Sequence, residues 1–230
     1  MDIEQHSSFK YRHLEEGEFR VLDILHSHDA AAEIHCRLVH HPFLWREPYN
    51  AISYTWGTDP PNKSIRLNDS EFLVRENLYH ALRSFRRADE DRRIWIDALC
   101  IDQSNTDERN SQVARMREIF ANATEVAVWL GEAPSGARQF GMEKIPWLLR
   151  LFSTPGWADG REGLKSSLSS EYFLKTLDCV SWVFEHRWWR RIWVIQEVAV
   201  AVGIAETQHS LFEFVSGVAN TKAILEANCF

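Results

Sequence analysis

The chain has 230 residues, 26 Lys and Arg against 33 Asp and Glu, a formal net charge of −7 and 45% hydrophobic residues. That length suits one domain with an extension, whose core buries about 70% of the unfolded surface without help from disulfides or metals. An acidic balance with no stripe of Lys and Arg argues against a general nucleic-acid binder. The longest nearly apolar stretch, Ile192 to Ile204, is interrupted by Gln196 and Glu197 and falls short of the ~20 residues that cross a bilayer; Met1 to Leu14 is too polar for a secretory leader.

Phe19 to Leu25 and Glu33 to Val39 are short β-like runs around a polar stretch, so the spacing predicts an N-terminal hairpin that extends or covers a sheet edge. Tyr49 to Gly57 is a β-rich run that stops at glycine and the breakers Asp59, Pro60 and Pro61, and it reads as the first core strand. Ser64 to Leu67 and Glu71 to Val74 form a second hairpin about Asn68-Asp69-Ser70, and Asn77 to Arg87 carries Leu78, Ala81, Leu82 and Phe85 at helical spacing. Ile94 to Ile101 is almost continuously apolar, as a strand covered on both faces should be. Ser104 to Asp107 reads as a capping box, and Val113, Met116, Ile119, Phe120 and Ala123 line the helix that follows, ending near Asn122. A third apolar strand, Glu125 to Leu130, stops at Gly131.

Strand and helix alternating with long crossovers is the grammar of a parallel α/β sheet with right-handed connections. Residues from about 132 to 185 read as a helical insertion, with Ile145 to Phe152 and Glu171 to Phe184 as its helices. A helix over Arg187 to Val202, weak strands at Gly203 to Glu206 and Ser210 to Phe214, and a helix over Val218 to Ala227 complete the expected order.

The four cysteines, Cys36, Cys100, Cys179 and Cys229, are far apart and read as buried free thiols of a reducing compartment. Cys100 is accordingly a structural thiol rather than a nucleophile, and adjacent His40 and His41 suit a surface turn rather than a metal site. Gly-rich phosphate loops and serine elbows are absent from the sequence.

In open parallel sheets ligands sit beyond the carboxyl ends of the strands. Strand one delivers Ser53, Tyr54, Trp56 and Gly57 there; strand two delivers Asp102 and Gln103, then Asp107, Glu108 and Arg109; strand three delivers Gly131 and Glu132. Asp97 and Asp102 fall on opposite faces of a straight strand, so they are no carboxylate pair; Asp97 is expected mid-strand as a structural carboxylate, and Asp102 and Gln103 either line the site or cap a loop. Glu197 is sharper, because its helix is otherwise apolar nearly all round and a carboxylate there needs a partner or a function. Trp193 and Arg190 precede it by four and seven residues on the same helix face, so the alternatives are a ligand site beside an aromatic plane or neutralisation by Arg187, Arg190 or Arg191.

Tyr49 to Gly57, then Trp95 to Gln103 with Glu108, Arg109, Gln112, Val113, Met116 and Ala123, then Arg187-Trp188-Trp189 with Trp193, Gln196 and Glu197, resemble the three motif blocks of the fungal heterokaryon incompatibility (HET) domain. The resemblance spans roughly residues 18 to 215, which leaves 1–17 as a polar N-terminal segment and 216–230 as a C-terminal helix. It implies a cytoplasmic domain that triggers programmed cell death when genetically different fungal cells fuse, acting on itself or with a partner incompatibility protein, and usually forming the N-terminal part of a longer protein. HET domains are in turn similar to Toll/interleukin-receptor (TIR) domains, which implies a flavodoxin-like parallel sheet flanked by helices. In TIR enzymes that cleave NAD the catalytic glutamate lies on a helix four residues after a Trp, and Trp193 and Glu197 have that spacing. The resemblance therefore implies Glu197 as the catalytic residue and Trp193, Tyr54 and Trp56 as stacking surfaces. Gly57, Asp102 and Gln103 would line the site, and Arg109 would meet a phosphate. NAD is the implied substrate, with neither metal nor cofactor required. Two other readings stay open: an assembly module acting through an exposed charged helix from Asp107 to Arg117, and a nucleotide sensor that binds without cleaving.

Overall fold

The computed structural model describes residues 9–44, 47–132, 182 and 186–190. The chain divides into two compact units, Met1–Gly131 with Ile192–Phe230, and Glu132–Arg191.

In the first unit the strands are β1 (Glu18–Ile24), β2 (His35–Pro42), β3 (Asn50–Tyr54), β4 (Lys63–Leu67), β5 (Ser70–Val74), β6 (Arg92–Trp95) and β7 (Glu125–Trp129). The helices are α1 (Glu76–Phe85), α2 (Asp97–Cys100), α3 (Thr106–Ala114) and α4 (Met116–Asn122). The strands form one seven-stranded sheet in the order β5-β4-β2-β1-β6-β3-β7. The α/β class holds, but the sheet is mixed. β6, β3 and β7 run parallel, whereas β1 pairs antiparallel with both β2 and β6. The N-terminal hairpin therefore extends the parallel core along its β6 edge. The second hairpin then joins through a parallel β2–β4 pair. Its two-residue turn has positive φ at Asn68 (47°) and Asp69 (63°), the mirror-image turn that suits strand twist and that Asn and Asp tolerate best.

The three parallel strands, numbered in chain order, lie in the order two, one, three, which is the start of the flavodoxin-like order. The two inner ones bury their apolar runs, Ala51, Ile52, Ser53 and Tyr54 on β3 and Ile94 and Trp95 on β6, whereas on the edge strand β7 only Trp129 is buried and Val128 is exposed. Leu78, Ala81 and Leu82 of α1 join the same core.

Three elements depart from the sequence-based expectation. The second core strand ends at Trp95, because the chain coils at once into α2, where the Cys100 N–H donates to Ile96 O at 2.9 Å. An apolar run buried all round does not distinguish strand from helix, and here it contains both. The following helix is two helices that meet at Arg115 (φ −101°, ψ 0°). The break re-aims the buried face: α3 buries the polar Glu108 and Gln112, and α4 buries Met116, Ile119 and Phe120. The cap is Asn105 rather than Ser104, its side-chain oxygen accepting from the Asp107 and Glu108 N–H groups at 3.2 and 3.1 Å. Asn105→Ala is expected to cost about 1 kcal/mol of unfolding free energy in urea titration, the usual loss of an N-cap.

In the second unit the Trp182 ring lies 6.0 Å from His186, whose Nδ1 accepts from the Trp188 N–H at 3.2 Å, and Trp188 is buried. The helix expected from Arg187 opens here as a 3-10 turn, Arg187–Arg190. The rest of that helix, the two helices of the expected insertion, the weak C-terminal strands and the last helix lie outside the described residues.

Candidate functional site

Because β3 and β7 are neighbours while the chain visits β6 between them, the strand order reverses at their carboxyl ends, the place where open α/β sheets bind ligands. Both strands leave the sheet through glycine in the left-handed region, Gly57 (φ +77°) and Gly131 (φ +95°). A Cβ on Gly57 would meet nothing within 4 Å. The cost of Gly57→Ala is therefore purely backbone strain, about 1–2 kcal/mol by chemical denaturation.

Asn77, in the first turn of α1, joins the two strand ends. Its Nδ2 donates to Thr55 O at 2.6 Å, and its Oδ1 accepts from Trp129 Nε1 at 2.9 Å. Trp56 is fixed in the same way. Its indole N–H donates to both oxygens of Asp97, at 3.1 and 3.0 Å, and the Arg75 guanidinium lies over its ring, 5.7 Å from the centroid. Asp97 opens α2 at the end of β6, and its own carbonyl accepts from Gln103 Nε2 at 2.8 Å. The rim thus presents a half-buried tryptophan clamped between a carboxylate and a cation.

Behind the rim lies a buried ion pair. Arg20 of β1 and Glu108 of α3 meet through two bonds of 2.6 and 3.0 Å, with side chains 1% and 5% exposed. Arg20 also donates to Cys100 O (3.1 Å), Arg12 O (2.6 Å) and His40 Nε2 (3.2 Å), and its guanidinium lies 4.9 Å from the Tyr11 ring centroid. Glu108 Oε1 takes a further bond from the Asp102 N–H at 2.7 Å. This network ties residues 101–105, which carry Gln103, to β1. Burial raises the Tyr11 hydroxyl above its ordinary pKa, with Cys100 and the nearby carboxylates adding to the effect; that hydroxyl donates to Leu99 O at 3.0 Å. Burial likewise pushes the Cys100 thiol up to about 12, so it stays protonated and inert, as expected of a structural cysteine.

The expected site residues separate accordingly. Trp56, Gly57 and Gln103 come together at the rim. Tyr54 does not: it is 2% exposed within the core, so its ring offers no face to a ligand from solvent. Asp102 caps its own loop, accepting from the Ser104 N–H and hydroxyl at 3.0 and 2.6 Å, and Arg109 reaches back to Gln103 O at 3.4 Å. Asp97, expected mid-strand, stands instead at the rim, because the strand ends two residues earlier. Glu108, expected on an exposed assembly helix, is interior. His40 and His41 lie within β2 rather than on a turn, His40 held between Arg20 and Glu18. Among the described residues no group of three His, Cys, Asp or Glu side chains is placed to hold a metal ion, and no helix is long and apolar enough to cross a membrane. Trp193 and Glu197 lie outside the described residues. Sequence reasoning missed Asn77 and Arg75; a polar residue flanking a helix start is common and carries no local mark of what lies across the sheet.

Comparison with known proteins gives two findings. The family described as "Heterokaryon incompatibility protein (HET)" matches residues 49–197, more than half of the chain. A Neurospora crassa protein named "Heterokaryon incompatibility protein 6, OR allele" is 25% identical over 211 residues, covering 77% of this chain but 31% of that protein. This chain thus spans less than a third of its relative's length. No solved structure matches it.

Proposed function

The chain belongs to the heterokaryon incompatibility (HET) family, and from that premise we propose that it acts in heterokaryon incompatibility by hydrolysing NAD at the bond between nicotinamide and ribose. The observation that carries this reading is the reversal of strand order between β3 and β7, with a clamped tryptophan and two left-handed glycines at the strand ends. That is the position where parallel sheets take nucleotides. The relative's name supplies the biological setting, and the Trp193 to Glu197 spacing, shared with NAD-cleaving TIR enzymes, supplies the chemistry.

Breaking the bond builds positive charge on the ribose. A fixed carboxylate, here Glu197, stabilises that oxocarbenium-like state and holds the ribose hydroxyls, while nicotinamide leaves neutral and water completes the reaction. Trp56 supplies the aromatic face at the rim. Loss of NAD then kills the fused cell, with self-association or a partner incompatibility protein as the trigger.

The test is NAD turnover by the pure protein across a range of concentrations, read as free nicotinamide and ADP-ribose. Product that rises with enzyme supports the proposal. No product at any concentration sinks it, and a ligand-induced thermal shift without product would replace it with a nucleotide sensor.

A further inference from the structure

Several arginines of this fold find acceptors: Arg20 meets Glu108, Arg93 meets Asp23 and Glu47, and Arg86 donates to four backbone carbonyls. Arg75 does not. Its Nε is buried without a hydrogen-bond partner, and among the described residues no carboxylate lies within ion-pair distance. An unsatisfied charged donor is costly to bury and calls for a reason.

The surroundings of Arg75 supply one. Its guanidinium lies over Trp56, next to Gly57, at the end of β3. The indole N–H donates to the Asp97 carboxylate on both oxygens, which enriches the ring in electron density and strengthens its hold on the cation. The side chain is thus positioned without being neutralised, an arrangement suited to receiving an anion. We propose that Arg75, rather than Arg109, is the anion-binding residue of the rim, taking a phosphate of a nucleotide diphosphate whose base or sugar lies toward Trp56. This assignment rests on the nucleotide reading above and names the subsite that would hold the pyrophosphate.

The experiment compares parent protein, Arg75→Gln and Arg75→Lys in calorimetric titrations with inorganic pyrophosphate, NAD and nicotinamide riboside, which has no phosphate. Arg75→Gln is expected to weaken pyrophosphate and NAD at least about tenfold, the loss of one charge-assisted contact, and to leave nicotinamide riboside within about twofold. Arg75→Lys, which keeps the charge and loses the fork, falls between. A measurement free of mutation runs beside it: pyrophosphate should protect Arg75 of the parent from phenylglyoxal, read by mass spectrometry. Equal pyrophosphate binding by parent and Arg75→Gln, unprotected Arg75, or a parent that binds no pyrophosphate overturns the assignment. Pyrophosphate held through Arg75 without NAD cleavage leaves the anion subsite standing and removes the hydrolase; NAD cleavage at parental KM by Arg75→Gln does the reverse.

Discussion

Glu108→Ala is expected to lower the unfolding free energy by about 3–5 kcal/mol, the cost of leaving one member of a buried ion pair without its partner. Arg20 is 1% exposed and would keep its bonds to the carbonyls of Arg12 and Cys100 while losing both carboxylate bonds. The Asp102 N–H would lose its acceptor at the same moment, releasing the loop that carries Gln103. The damage should therefore reach the rim: Trp56 fluorescence should shift in the folded variant, because Gln103 braces the backbone of Asp97 and Asp97 holds the indole. Urea titration of the parent, Glu108→Ala and the double variant Arg20→Met/Glu108→Leu tests the account. The double variant should recover the part of the loss that comes from the uncompensated charge and no more, since it still leaves the Asp102 N–H without its acceptor and the Arg12 and Cys100 carbonyls without their donor. A single-variant loss below about 1 kcal/mol would mean that the pair is wet and peripheral to stability. Because Glu108 is interior, a substitution there reports on folding and not on assembly through the Asp107 to Arg117 segment.

On the proposed hydrolase reading, Glu197→Ala is expected to cut NAD turnover at least about a hundredfold, with KM within a few-fold of the parent, because the interaction removed would belong to the charge developing in the transition state. From Ile192 to Ile204 only Gln196 and Glu197 are neither apolar nor glycine, so the helix expected over this run would offer the carboxylate little solvent. Two physical situations permit that, and they give opposite results. A carboxylate aimed at substrate costs activity when removed and leaves the thermal midpoint within a few degrees of the parent, or raises it. A carboxylate quenched by Arg187, Arg190 or Arg191 costs stability when removed and leaves turnover per folded molecule unchanged. Measuring both quantities on Glu197→Ala and the isosteric Glu197→Gln separates them, and undiminished turnover retires Glu197 as the catalytic residue.

How far the fold could be read from the residues depended on how far apart the deciding partners lie. The two hairpins announced themselves locally, in β-like runs and in Asn68-Asp69, whose side chains suit a left-handed turn. The parallel strands are legible in their apolar runs, which burial on both faces demands of β3 and β6, and in Gly57 and Gly131, which follow two of them; the edge strand β7 carries the same apolar run although it is only partly covered. The same rule misplaced the end of the second strand, since continuous burial looks alike in a strand and in a helical turn. The one-helix reading over residues 107–122 failed for a related reason: its apolar positions kept helical spacing, but the buried side chains of its first half are Glu108 and Gln112, which no hydrophobic pattern counts.

The sequence by itself determined the family, the α/β class and, up to Gly131, the order of the strands. These follow from short-range features, namely alternation, apolar runs, breakers and three motif blocks that need no contact map to recognise. Tertiary structure alone decided which polar groups are interior and which face the rim. Arg20 and Glu108 lie 88 positions apart, Trp56 and Asp97 lie 41 apart, and Asn77 joins a partner 22 residues before it to one 52 after. Burial of a charge is tolerated only where its partner arrives across the sheet, so its cost is decided by the fold as a whole and leaves no trace in the residues on either side.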